Sequence, residues 1–196
     1  GAPAADTEVL LDGGTKPDYV TVSNKKFSAR ALSDNAKLIA AVVTGKLEEV
    51  QKTLGGGAKA DNVKDGEESS LFAAIEANDP SIIRLLLEKG APVNRKNKAG
   101  QMPLNVAAQK KFKNKGDAEK SDSILGMLLD FGADINSKDK EGMTPLMLAC
   151  VNGRTDGLKL LLSRGADKDA YDDRARTALD MAKEMKLRNC QNLLNK

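Results

Sequence analysis

The chain has 196 residues, a net charge of +3 with 30% charged residues, and 40% hydrophobic residues with 3% aromatic ones and no Trp. Surface charge so mixed in sign argues against sequence-independent nucleic-acid binding, and no apolar run approaches the roughly 18 to 20 residues that a membrane span needs. The chain contains no His, which excludes Ser-His and Cys-His nucleophilic pairs and His-containing zinc sites.

Residues 1–32 carry no repeat signal and are expected to form a flexible N-terminal extension. Gly1-Ala2-Pro3 opens without an initiator Met, which predicts a processed start or a tag remnant, and the first thirty residues lack the apolar core of a signal peptide. A soluble chain in the cytoplasm, with the nucleus as the other compartment, is the expectation. Asp18–Ser23 alternates as a short strand would, the alternative to an extended tail. Phe27, Ala31 and Leu32 are expected to begin covering the first helical unit.

From residue 33 the pattern becomes helical. The first unit, 33–60, places Leu38, Ile39, Ala41 and Val42 on one helix and Leu47, Val50 and Leu54 on a second. It ends in Gly55-Gly56-Gly57, which loosens the end of its second helix. The second unit, 61–93, starts a helix at Ser69, turns at Asp79-Pro80 and continues through Ile82, Ile83, Leu85, Leu86 and Leu87. The third, 94–135, holds Pro103, Leu104, Ala107 and Ala108, then an excess of basic sequence at 112–121, then Ile124, Leu125, Leu128 and Leu129. The fourth, 136–169, has Thr144 as a helix cap and Pro145 as the first helical residue, with Leu158, Leu161 and Leu162 on the second helix. The fifth, 170–196, repeats the pattern with Thr177, Ala178, Leu179 and Ala182, then Leu187, Leu193 and Leu194.

Gly-Ala pairs close the units at Gly57-Ala58, Gly90-Ala91, Gly132-Ala133 and Gly165-Ala166, spaced by 33, 42 and 33 residues. The period is thus 33 with nine extra residues in the third unit. Gly142, Thr144, Pro145, Leu146, Ala149, Gly153, Leu161, Leu162, Gly165 and Ala166 fall in the order of the ankyrin repeat, which this chain resembles over Ser33–Lys196. The resemblance implies an all-α solenoid of about five helix-turn-helix units with hairpin loops, in which no unit buries its apolar face alone. The His that the family places after Thr-Pro-Leu is Ile39, Phe72, Asn105, Met147 and Asp180 here, so the usual Thr-His hydrogen bond is expected to be missing throughout.

The resemblance also implies a protein-interaction module rather than an enzyme: an adaptor, scaffold or inhibitor that grips a partner on its concave face. The alternatives are the targeting region of a larger enzyme or channel, and binding of acidic surfaces through the Lys-rich insertion. The family's gripping positions are the hairpin tips and the exposed side of the inner helices. Here they single out above all Lys96, Lys98, Gln101, Lys110, Lys138, Lys140, Met143, Val151, Asn152, Tyr171 and Arg176, with Val63, Asp65 and Glu68 in the second unit, Asp173 on the last tip, and Glu76, Gln109, Glu184 and Met185 at the inner-helix ends. The lysines suit an acidic protein or peptide, and Met143, Val151 and Tyr171 suit a hydrophobic anchor on it. A monomer is expected.

No cofactor and no metal is expected. Gly55-Gly56-Gly57 lacks the Lys-Ser/Thr continuation of a phosphate loop and follows a helix rather than a strand. Asp134, Asn136, Asp139 and Glu141 are spaced loosely like calcium ligands but lack that loop's central Gly and terminal Glu, and turn chemistry explains them better. The Lys110–Lys115 run fits a loose nuclear-import pattern, with a solvated loop as the plainer reading. The insertion is expected to project from the edge opposite the hairpin tips as a longer helix end plus a mobile loop, without interrupting the packing, so that trimming it leaves stability nearly unchanged. Cys150 and Cys190 read as small buried hydrophobes kept reduced, with a disulfide between them as the lesser reading.

Overall fold

The computed structural model describes residues 9–10, 19–22, 25–28, 34–60, 69–112 and 114–195. The chain divides into two compact units, Gly1–Pro92 and Val93–Lys196. No helix among the described residues is long and apolar enough to cross a membrane.

The Gly1–Pro92 unit opens with an antiparallel three-stranded sheet in the order β1 (Val9–Leu10), β2 (Tyr19–Val22), β3 (Lys25–Ser28). Val9 pairs with Val22, and Val20 with Phe27. The alternating stretch therefore contains a strand paired on both sides. Ala31, Leu32, Val63, Asp65 and Glu68 lie outside the described residues. Two helical hairpins come next: α1 (Asp34–Val43) with α2 (Leu47–Gly55), and α3 (Ser70–Ala77) with α4 (Pro80–Glu88). Ser69 Oγ caps α3 by accepting from Leu71 N at 3.2 Å. Asp79 caps α4 by accepting from Ser81 N at 2.9 Å and Ile82 N at 3.1 Å, with Pro80 at the first helical position. Leu38, Val42, Val50, Leu71, Ile75, Ile82, Ile83 and Leu86 are fully buried and form the core.

The Val93–Lys196 unit contains three repeats. Inner helices α5 (Pro103–Gln109), α7 (Pro145–Val151) and α9 (Ala178–Glu184) pack in sequence; outer helices α6 (Lys115–Asp130), α8 (Thr155–Ser163) and α10 (Arg188–Leu194) line up behind them. Short inner side chains, Ala107, Ala108, Ala149 and Ala182, let the layers approach; Ile124, Leu125, Leu128, Leu158 and Leu161 close the core from the outer helices. Turn residues with positive φ recur between the elements, and at two of these positions the residue is not Gly: Ala175 (φ 57°) and Lys186 (φ 57°).

Two expectations need correction. The insertion lengthens a helix as expected, but it does not stay outside the packing. α6 starts at Lys115 with Asn114 as its cap, so most of the extra residues lengthen the outer helix, and Ser121 within it is 1% exposed. Lys113 lies outside the described residues. Nor is the lost imidazole left without a substitute. Asp180 accepts from both Thr177 Oγ1 (2.7 Å) and Thr177 N (3.0 Å), closing α9 with a reciprocal cap. Asn105 Oδ1 accepts from Met102 N at 3.3 Å and from Ser137 Oγ at 2.9 Å, while its Nδ2 donates to the carbonyls of Ser137 (3.1 Å) and Met143 (3.3 Å). A short buried amide thus ties one repeat to the next. In the fourth repeat Thr144 Oγ1 accepts from Met147 N at 3.4 Å, as the Thr-Pro start predicts.

Candidate partner-binding site

The three hairpin tips of the Val93–Lys196 unit are built by one device. Asn97, Asp139 and Asp172 each fold a tip by accepting backbone amides: Asn97 Oδ1 from Gln101 N at 2.9 Å, Asp139 Oδ1 from Glu141 N and Met143 N at 2.9 Å, Asp172 Oδ1 from Arg174 N at 3.0 Å and Arg176 N at 2.8 Å. Asp134 Oδ1 folds a turn in the same way, accepting from Asn136 N at 3.0 Å, whereas Asn136 Oδ1 accepts from Asp167 N at 2.9 Å and ties one repeat to the next. Of the acceptors spaced loosely like calcium ligands, Asp134 and Asp139 are turn formers and Asn136 is an inter-repeat tie. Burial alone would raise the Asp172 carboxyl, but hydrogen bonds from Arg176 and Arg174 hold it below its ordinary value. At Asp180 the Thr177 side-chain and backbone donors lower the carboxyl likewise.

Each tip is fastened to its neighbour. Lys140 Nζ donates to the Lys98 carbonyl at 3.0 Å and Lys138 Nζ to the Tyr171 carbonyl at 2.7 Å. The Lys140 stem lies where a Cβ on Gly100 would come within 2.6 Å of its Cγ, and Asp173 covers Gly142 in the same way, 2.5 Å from Oδ1. Lys138 and Lys140 therefore staple the tips together while keeping exposed stems and charge, and Lys96 and Lys98 are exposed beside them.

Along the inner helices one column pairs the residue before each helix cap with the last helical residue. In the third repeat Gln101 Nε2 donates to Gln109 Oε1 at 2.9 Å. In the fifth, Arg176 Nη1 donates to Glu184 at 3.2 Å while its Nε and Nη2 donate to Asp172 at 3.0 and 2.8 Å. The fourth repeat has Met143 and Val151 in these places. Met143 is only 8% exposed, because its backbone is drawn into the Asn105 and Asp139 bonds; it is not the exposed anchor that the sequence suggests. Val151 is half-buried and Tyr171 is 56% exposed. Asn152 is half-buried and spends its Nδ2 on the Leu148 carbonyl at 2.8 Å, closing its own helix, and Lys110 sits half-buried at the end of α5. Of the eleven expected positions, the structure brings Lys96, Lys98, Lys138, Lys140, Val151 and Tyr171 to the accessible surface of this face; Gln101, Arg176, Asn152 and Met143 are engaged in holding it. Met185, which the inner-helix ends also single out, is 52% exposed at the end of α9 and adds an apolar group to this face.

The other edge of the unit holds a cluster that the sequence did not single out. Arg154, 8% exposed, donates from Nη1 to the Ala107 carbonyl and from Nη2 to Asp122, and its guanidinium lies 5.4 Å from the centre of the Phe112 ring. Burial raises the Asp122 carboxyl against the opposing pull of Arg154, and burial lowers Arg154 against Asp122. The signal available in the sequence was a lone aromatic inside a lysine run.

Two family models match: ankyrin repeats (3 copies) over residues 38–118 and ankyrin repeats (many copies) over residues 128–182. The chain belongs to the ankyrin-repeat family, an all-α repeat fold whose members are generally protein–protein interaction modules and typically non-enzymatic. No curated protein is a significant match to the chain.

Proposed function

We propose that this chain is a non-enzymatic adaptor, scaffold or inhibitor whose Val93–Lys196 unit seats a protein partner on the hairpin tips and the exposed ends of its inner helices. The observation that carries the reading is Tyr171: a 56% exposed aromatic on a tip that Lys138 and Asp172 hold in place, so its ring is presented without the entropic cost of ordering a loop. The basic row Lys96, Lys98, Lys138 and Lys140 lies toward the neighbouring tips, and the half-buried Val151 offers an apolar floor. The fitting partner is an acidic peptide or domain surface with one or two large hydrophobic residues, its charge setting the approach rate and its anchor the residence time. The two buried thiols suit a reducing compartment such as the cytoplasm, and the interaction is that of a monomer.

The test is capture of a partner from the native cell by the full chain, then its affinity for point variants confirmed as folded. Tyr171→Ala is expected to weaken binding by about 2 kcal/mol or more, and Lys96→Glu with Lys138→Glu to slow association and flatten its salt dependence. If these bind like the parent while a variant on the outer helices loses affinity, the partner uses the other side of the repeats.

A further inference from the structure

We propose that Cys150 and Cys190 form a reversible dithiol–disulfide site that clamps the last outer helix onto the fourth repeat. The two cysteines come from elements 40 residues apart, α7 and α10, and both thiols are free, 0% and 1% exposed. Cys190 Sγ donates to the Cys150 carbonyl at 3.6 Å, and Cys150 Sγ donates to the Ala178 carbonyl at 3.5 Å. Each thiol is thereby turned into the same small space between α7, α9 and α10. They are the only cysteines in the chain, so an intramolecular bond has one possible pairing.

Packing explains a small residue at each position; it does not explain why both are thiols set against each other. Ala108 fills the equivalent inner-helix position in the preceding repeat, fully buried and with no thiol. The resting pair is unreactive. Burial pushes the Cys150 thiol up to about 12, and the neighbouring Cys190 adds to the rise, while burial of both sulfurs keeps a reagent from reaching either in the closed fold. Reaction therefore waits on opening of α10, a seven-residue helix with no side-chain cap at its start, held back to α9 through Leu187 N and Gln191 Nε2 on the Ala182 carbonyl, both at 2.8 Å.

The chemistry is thiol–disulfide exchange with a low-molecular-weight disulfide of the glutathione class. In the opened state the Cys190 thiolate attacks one sulfur of the small disulfide, forming a mixed disulfide and expelling one thiolate, which takes up the proton that Cys190 lost. While the site is still open, the Cys150 thiolate attacks Cys190 Sγ and expels the second small thiolate, which takes the proton that Cys150 lost, and α10 then recloses over the new bond. The protein loses two electrons and two protons, and the small disulfide becomes two thiols. The new bond joins α7 to α10 across a repeat boundary and opposes the opening that allowed it.

The experiment treats the full chain with excess glutathione disulfide at neutral pH, quenches with an alkylating reagent and measures intact mass, followed by amide exchange. The expected product is a monomer lighter by about 2 Da with no alkylated thiol and no glutathione adduct, restored by dithiothreitol. Peptide mapping should place the crosslink at Cys150–Cys190, and amide exchange across 188–194 should slow by roughly tenfold or more. Cys190→Ser, checked for native circular dichroism, should never give that product. Persistence of two alkylatable thiols, adducts on both cysteines, or a disulfide-linked dimer overturns the proposal and leaves the pair as packing only.

Discussion

The Asn105 side chain is fully buried and takes part in four hydrogen bonds, two accepted and two donated, which satisfies the amide with partners from two consecutive repeats. Replacing it with Ala leaves the Ser137 hydroxyl and two carbonyls inside the protein without that partner. Asn105→Ala is expected to destabilise by about 2 to 3 kcal/mol, read as a fall in the urea midpoint at unchanged slope. Thr144→Ala, which removes one helix cap bond, should cost only about 1 kcal/mol in the same assay. Ala175 works the other way. It sits at φ 57° in the tip place that Gly100 and Gly142 fill in the preceding repeats. A residue with a Cβ is strained there, and Ala175→Gly should raise stability by about 1 kcal/mol after the added freedom of the unfolded chain is counted. A drop on that substitution would mean that the Cβ contributes packing which outweighs its backbone strain.

The insertion helix shows how an element acquires a role that its own sequence does not announce. Phe112, Asp122 and Ala107 converge on Arg154, whose side chain enters from the α7–α8 turn 32 residues beyond Asp122. Arg154→Ala should destabilise by about 2 to 3 kcal/mol, since it strands a desolvated carboxylate and a carbonyl. Removing the nine extra residues should now lower the melting temperature, the reverse of what a free loop would do; no change would show that Arg154 finds equivalent partners without them. The pH dependence has two signs. Asp122, held above its ordinary value, favours folding at low pH, and that contribution is lost as pH rises from its unfolded to its folded value. Asp172 and Asp180, held below theirs, contribute above their unfolded value and lose that contribution as pH falls. Asp180→Asn should flatten the acid limb of stability below about pH 4, the ordinary value of an Asp carboxyl. Caps, Gly-Ala stops and the 33-residue period were legible because each is set by neighbours along the chain. The Arg154 cluster and the burial of Met143 were not, because both depend on a side chain from another repeat reaching across: Arg154 to Asp122, and Asn105 to the Met143 carbonyl. Tyr171 was legible as exposed because its tip position has no successor stacked on it in the pattern.

At the scale of the whole chain, a repeat protein is only as uniform as the junctions between its repeats, because stability is close to a sum of repeat and nearest-neighbour terms. In the Val93–Lys196 unit those junctions carry Asn94 to Gly132, Asn105 to Ser137, Asn136 to Asp167, Lys138 to Tyr171 and Lys140 to Lys98, in addition to the apolar core. In the Gly1–Pro92 unit α2 follows Lys46 with no side-chain cap and runs out through Gly55, Gly56 and Gly57, the last at φ 106°. Three glycines in succession leave the chain more freedom to gain on opening, and none supplies a side chain to cover the end of α2. Opening should therefore begin at α1 and α2 rather than at the junctions of the second unit. Native-state amide exchange is expected to give α2 an opening free energy at least about 1 kcal/mol below that of α7, with Gly55–Gly57 among the fastest amides of the described helices. Replacing Gly55, the last residue of α2, with Ala should narrow the gap by slowing exchange in α2 while leaving α7 unchanged, since Gly55 has open space around its Cβ position and does not have positive φ. Exchange that is slowest at Gly55–Gly57, or that slows equally in α7 after the substitution, would mean that the chain opens as a single cooperative body and not from its weakest repeat.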